Sequence, residues 1–223
     1  VSHGYPLAIE LIAKAVSYKN LSIKNFVEEL RTKEYKIEDC NLVADSDWNG
    51  VHISEKIAKQ LSKVYELSEL SLEETQIIKI MSILPAGISI ASEDIQNYLP
   101  FNCKNAQISL VYRGWITQSK YGFSMHEIVC KCVYNYNVIS YKDCELLLSS
   151  LETSMNMSPS TSFTYVLKYA KYTYNVIGIM KKKIEFCKHL FLKEAALVFK
   201  ENGYYQKAKE LLDILIKSYD ESN

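Results

Sequence analysis

The run "GWITQSKYGFSMH" (residues 114–126) alternates apolar and polar side chains around Lys120-Tyr121-Gly122, while the apolar positions of the flanking segments recur at helical spacing. That single change of period constrains the fold more than any other feature. It predicts two short strands joined as a hairpin inside an otherwise helical chain, so the expected class is mainly α with one small β-hairpin.

The helices before the hairpin carry their own boundary signals. Gly4 and Pro6 precede a first apolar stripe of Leu7, Ile9, Leu11, Ile12, Ala15 and Val16, and a second helix is expected from about Ser22 to Lys33. Residues 36–50 are polar, contain "DSDWNG", and read as a connector. Ile53, Ile57, Leu61 and Val64 continue the helical pattern, and Ser71 to Glu74 has the spacing of a capping box opening the next helix. Pro85 ends that helix, because the residue before proline is pushed out of the α region. "SEDIQNYL" from Ser92 and "KNAQISLVYR" up to Gly114 make two more helices. Three helices followed by a hairpin is the order of a winged helix.

Beyond the hairpin, "HEIVCKCVYNY" returns to helical spacing, and only helices are expected from Ile139 to the end. With Gly203 between two antiparallel helices, Leu192, Ala195, Ala196, Phe199, Tyr205, Ala208, Leu212 and Leu215 fall near the packing positions of a tetratricopeptide-like unit. One such unit cannot bury its own face, so further repeats are expected in a longer protein. The expected organisation is a helical subdomain over residues 1–45, a winged helix over 46–137 and a helical repeat segment over 138–223. The amphipathic start at "VSHGYPLAIELIAKAV", without an initiator methionine, reads as a fragment of a longer chain.

Charge narrows the function classes. Lys and Arg total 26 and so do Asp and Glu, so no basic excess is available to neutralise a nucleic-acid backbone. Six dispersed cysteines with no leader before them suggest a reduced, cytoplasmic chain, and no apolar run is long enough to suggest a membrane span. Cys130 and Cys132 are two apart on a helix and face different ways, which disfavours a shared metal. His3, His52 and His189 have no acid or cysteine at ligand spacing, and residues 181–183 read as a solvated lysine face. No signature of nucleophilic or metal-dependent catalysis is present.

Three segments together resemble the NB-ARC or STAND family of signalling ATPases. "GYPLAIELIAKAV" resembles the family's GLPLAL motif, "IKIMSILPAGISI" its first winged-helix segment and "FSMHEIV" its MHD motif, in the family's order. The resemblance covers roughly residues 1–137. It implies that Pro6 packs on the base and ribose of a bound nucleotide, and that His126 contacts the β-phosphate of ADP in the closed, inactive state. Tyr5 stands where the family has leucine, and Glu127 where it has aspartate. The resemblance further implies ADP or ATP with Mg in the longer protein, a nucleotide-binding domain of the same protein as partner, a protein partner on the repeats, and homo-oligomerisation on activation.

The phosphate-binding loop of such ATPases, GxxxxGK[ST], is absent from this sequence, and so is the acidic Walker B strand. The chain by itself is therefore expected to hold no cofactor and to be non-catalytic. Two other readings stay open. A winged helix can instead dock in DNA, with Lys104, Asn105, Gln107 and Arg113 on the third helix and Lys120 on the wing as contacts. The repeats can also act as a protein-interaction scaffold with no nucleotide role. His126 has a structural reading too, as a cap where the hairpin turns into a helix.

Overall fold

A computed structural model describes residues 70–136, 139–155, 163–180 and 191–220, with isolated positions between 13 and 28. The described chain is mainly helical, with one two-stranded antiparallel sheet. The element order is α1 (Leu72–Ile83), α2 (Ser92–Asn97), α3 (Lys104–Tyr112), β1 (Thr117–Ser119), β2 (Gly122–Ser124), α4 (Glu127–Tyr136), α5 (Tyr141–Met155), α6 (Phe163–Met180), α7 (Phe191–Glu201) and α8 (Tyr205–Asp220). Two compact units share it. The first is residues 1–82, 86–95 and 101–138; the second takes residues 83–85, 96–100 and 139–223. Of the expected helices before residue 70, only isolated helical positions between 13 and 28 are described, and Pro6 lies outside the described residues. Among the described residues no helix is long and apolar enough to cross a membrane.

In the first unit, α1 starts with the expected capping box. The Ser71 amide donates to Glu74 Oε2 at 2.8 Å and the Glu74 amide donates to Ser71 Oγ at 3.1 Å, satisfying two amides that a helix start leaves open. Ile77, Ile78, Ile80 and Met81 are all buried, so the helix is apolar nearly all round and runs through the core.

The hairpin is shorter than its alternation suggests. Thr117 pairs with Ser124 and Ser119 with Gly122, leaving Lys120 and Tyr121 as the loop, while Trp115 and Ile116 are buried just before β1. A third segment joins the sheet: Ile90 bridges Phe123 through hydrogen bonds of 2.8 and 2.9 Å. Gly122 permits this approach. A Cβ there would lie 2.1 Å from the Ile90 carbonyl oxygen, and the backbone sits at φ +129°, where side chains are disfavoured.

In the second unit α5, α6, α7 and α8 pack in succession, with α7 also touching α5. Ser140 and Asp143 form a second capping box at α5, with Ser140 N–H to Asp143 Oδ2 at 2.8 Å and Asp143 N–H to Ser140 Oγ at 3.3 Å. Asn175 Nδ2 donates to the Ile83 carbonyl at 2.9 Å. Gly203, at φ +76°, stops α7: its amide donates to Lys200 and that of Tyr204 to Phe199, while the Tyr204 and Phe199 rings meet at 5.9 Å. Leu192, Ala195, Ala196, Phe199 and Ala208 are buried. The α8 stripe needs a correction. Leu211 is the buried leucine, whereas Leu212 is 41% and Tyr205 68% exposed, because the buried face runs through Ala208 and Leu211, three residues apart.

Two stability predictions follow from these contacts. Gly122→Ala should destabilise the fold by on the order of 3 kcal/mol or more, since backbone must move, and chemical denaturation checks it. Thr173 is fully buried and its hydroxyl has no hydrogen-bond partner. Thr173→Val should therefore stabilise by about 1 kcal/mol, raising the thermal midpoint by roughly 2–4 °C.

Candidate functional site

The junction between β2 and α4 is built by the sheet described above. Residues 87–90 run beside 123–125: the Gly87 amide, three residues before Ile90, donates at 2.9 Å to the carbonyl of Met125, two residues after Phe123. Two of the three segments that carry the family resemblance, "LPAGISI" and "FSMHEIV", are thereby joined by backbone hydrogen bonds. Gly87 was not marked by spacing or charge; only its place in "LPAG" singled it out.

His126 follows directly and is exposed. It is the N-cap of α4: its carbonyl accepts from the Cys130 amide at 2.9 Å, and its Nδ1 accepts from the Ile128 amide at 3.2 Å. That second bond requires Nδ1 without a proton, so the neutral ring carries its hydrogen on Nε2. Protonation at Nδ1 would remove the acceptor and place a cation at the positive end of the helix dipole. The structural reading of His126 is thus realised, and it fixes the tautomer of the ring. Glu127, in the first turn, pairs with Lys131 at 2.8 Å; both side chains are largely exposed.

The thiols of α4 take no part. Burial pushes both Cys130 and Cys132 up to about 12, with the Glu127 charge adding to the effect at Cys130, so both stay protonated and inert. Among the described residues no three His, Cys, Asp or Glu side chains are grouped to hold a metal ion.

The five residues of the DNA reading separate. Lys104 and Asn105 are exposed at the start of α3, and Lys120 lies on the hairpin loop, 4.8 Å over the Tyr121 ring. Gln107 is 1% exposed; its Oε1 accepts from the Ser92 hydroxyl at 2.8 Å and its Nε2 donates to Cys103 Sγ at 3.1 Å. Arg113 is mostly buried against Glu74, 3.7 Å away. Helical phase explains both corrections: 107 and 113 fall on the inner side of α3, with Ala106 and Leu110. The outer side carries Ile108 and Tyr112 and lines an open groove of about 390 Å³ together with Ser17, Asn105 and Ser109.

Searches of family models, of curated proteins and of solved structures found no match to this chain.

The cap gives a direct test. His126→Ala should cost about 1 kcal/mol in stability, while His126→Ser, whose hydroxyl caps equally well, should restore it. Glu127→Gln should change stability by less than about 0.5 kcal/mol, because its ion pair is exposed. Urea denaturation of the three variants checks both statements.

Proposed function

We propose that this chain is the regulatory region of a nucleotide-switched signalling protein of the STAND type, non-catalytic by itself. The observation that carries the reading is the Gly87–Met125 hydrogen bond, which joins the two family-like segments and leaves His126 exposed at the helix start with its proton on Nε2. An imidazole can donate a hydrogen bond to a phosphate oxygen, and an exposed histidine at a helix start is within reach of a ligand held by another domain. On this reading residues 46–137 are a winged helix: the Ile90 bridge supplies the short third strand of its sheet. Residues 138–223 begin a tetratricopeptide-like array, supported by the buried alanines and Phe199 of the α7–α8 hairpin.

The residues here fit only part of a nucleotide site. His126 supplies one donor, Glu127 favours the α4 dipole, and the sequence has no glycine loop to wrap a phosphate. ADP, or ATP with Mg, would therefore be held by a nucleotide-binding domain of the longer protein, whose phosphate accepts the His126 proton in the closed form alone. Contacts made in one state shift the population toward it. ATP exchange and partner binding to the repeats would then release the lobe and permit oligomerisation in the cytoplasm.

A second reading, a helical interaction scaffold without a nucleotide role, is favoured by the exposed apolar residues Tyr205, Leu212 and Ile216 on α8. Calorimetry on the full-length protein separates the two. If His126 touches phosphate, His126→Ala and His126→Ser both weaken ADP binding by roughly tenfold or more, the value of one charge-assisted hydrogen bond. If His126→Ser binds ADP as the wild type does, the histidine is a cap and the nucleotide reading fails.

A further inference from the structure

Lys207, in the first turn of α8, has an unusual set of neighbours. Its Nζ lies 5.0 Å from the Tyr174 ring centroid and 5.7 Å from those of Phe199 and Tyr204. The rings stand nearly perpendicular to each other, Tyr174 on Phe199 at 74° and Phe199 on Tyr204 at 84°, and so form three walls around one cation. Among the described residues no carboxylate lies within ion-pair distance of this ammonium. A lysine held by aromatic faces instead of an acid is the arrangement that recognises alkylated ammonium groups, whose charge is spread over methyls and poorly served by water.

The walls are set independently of Lys207. Phe199 is fully buried, and its position is fixed by the Gly203 turn, through the Tyr204 amide. Tyr174 donates its hydroxyl to Glu210 Oε2, and Gln206 Nε2 donates to Glu210 Oε1 at 3.0 Å. Burial, with the Glu210 carboxylate beside it, pushes the Tyr174 hydroxyl up to about 12, so it remains a donor. Tyr204 is 41% exposed and Lys207 half-buried, so the cage opens to solvent on one side.

We propose that Tyr174, Phe199 and Tyr204 form an aromatic cage for a methylated lysine side chain of a partner protein, occupied in the free chain by Lys207. A lysine stem already reaches the cage, which matches a ligand with the same four-carbon stem. Glu210 beside Tyr174 adds a negative charge, favouring a cationic peptide and disfavouring phosphocholine, whose phosphate it repels. The site is independent of the nucleotide reading and lies in the repeat-like unit.

The test is a titration of the chain with a short peptide bearing trimethyllysine, followed by the ring protons of Tyr174 and Tyr204. Lys207→Ala vacates the cage and should bind the peptide at least tenfold more tightly than wild type, which must first expel its own lysine. Adding Tyr204→Leu should abolish that gain, and the unmethylated peptide should bind at least tenfold more weakly. Absence of ring shifts with Lys207→Ala overturns the proposal, as does phosphocholine binding as tight as the methylated peptide. Should Lys207→Ala not fold, the wild type carries the test: saturating peptide should return the ring-shifted Lys207 Hε signals to solvent-exposed positions. Their persistence at saturation overturns the proposal equally.

Discussion

The first unit depends on one close approach, that of the Gly122 backbone to Ile90, where a Cβ would overlap the carbonyl oxygen. Because no side chain intervenes, residues 87–90 can hydrogen-bond to Phe123 and Met125 and extend a two-stranded hairpin that would be marginal alone. Those bonds hold Met125, and through it the start of α4. The histidine that looks like a ligand in the sequence is therefore placed by backbone contacts several residues away. Its ring is tied to the helix it begins, so its donor and acceptor roles are assigned before any partner arrives.

A recurring theme is that side chains with functional chemistry serve helix ends. Glu74 closes a capping box and stands beside Arg113; Asp143 closes another; His126 caps α4; Asn175 serves the Ile83 carbonyl. Short helices make this necessary. Each start leaves amides and each end leaves carbonyls unpaired, and burying them unpaired costs more than any one surface contact returns. Gln107 follows the same logic within the core, where Ser92 and Cys103 satisfy its amide.

Local signals were legible in the sequence wherever chemistry is local. The Ser71–Glu74 box, the stop before Pro85, the turn at Lys120-Tyr121-Gly122 and the glycine between α7 and α8 each depend on residues a few positions apart; the structure has all four, with Gly122 already in β2. What escaped depends on distance along the chain or on helical phase. Ile90 is a single bridging residue with no alternation to announce it. Gln107 and Arg113 point inward, and only the packing of α3 decides that. Leu211 and Leu212 are chemically identical neighbours, so sequence alone does not choose between them. The Lys207 cage draws its walls from α6, α7 and the turn after α7, which no spacing rule connects.

The functional reading joins these levels: a backbone pairing places a histidine and a helix cap sets its tautomer. On the proposed function, His126 meets the phosphate of a nucleotide kept by the resting protein. The most direct measurement is the nucleotide content of the purified full-length protein, released by denaturation and separated by ion-exchange chromatography. ADP close to one per chain is expected in the resting state. Protein that carries no nucleotide, and takes up none when incubated with ADP and Mg, would contradict it and leave His126 as the cap of α4.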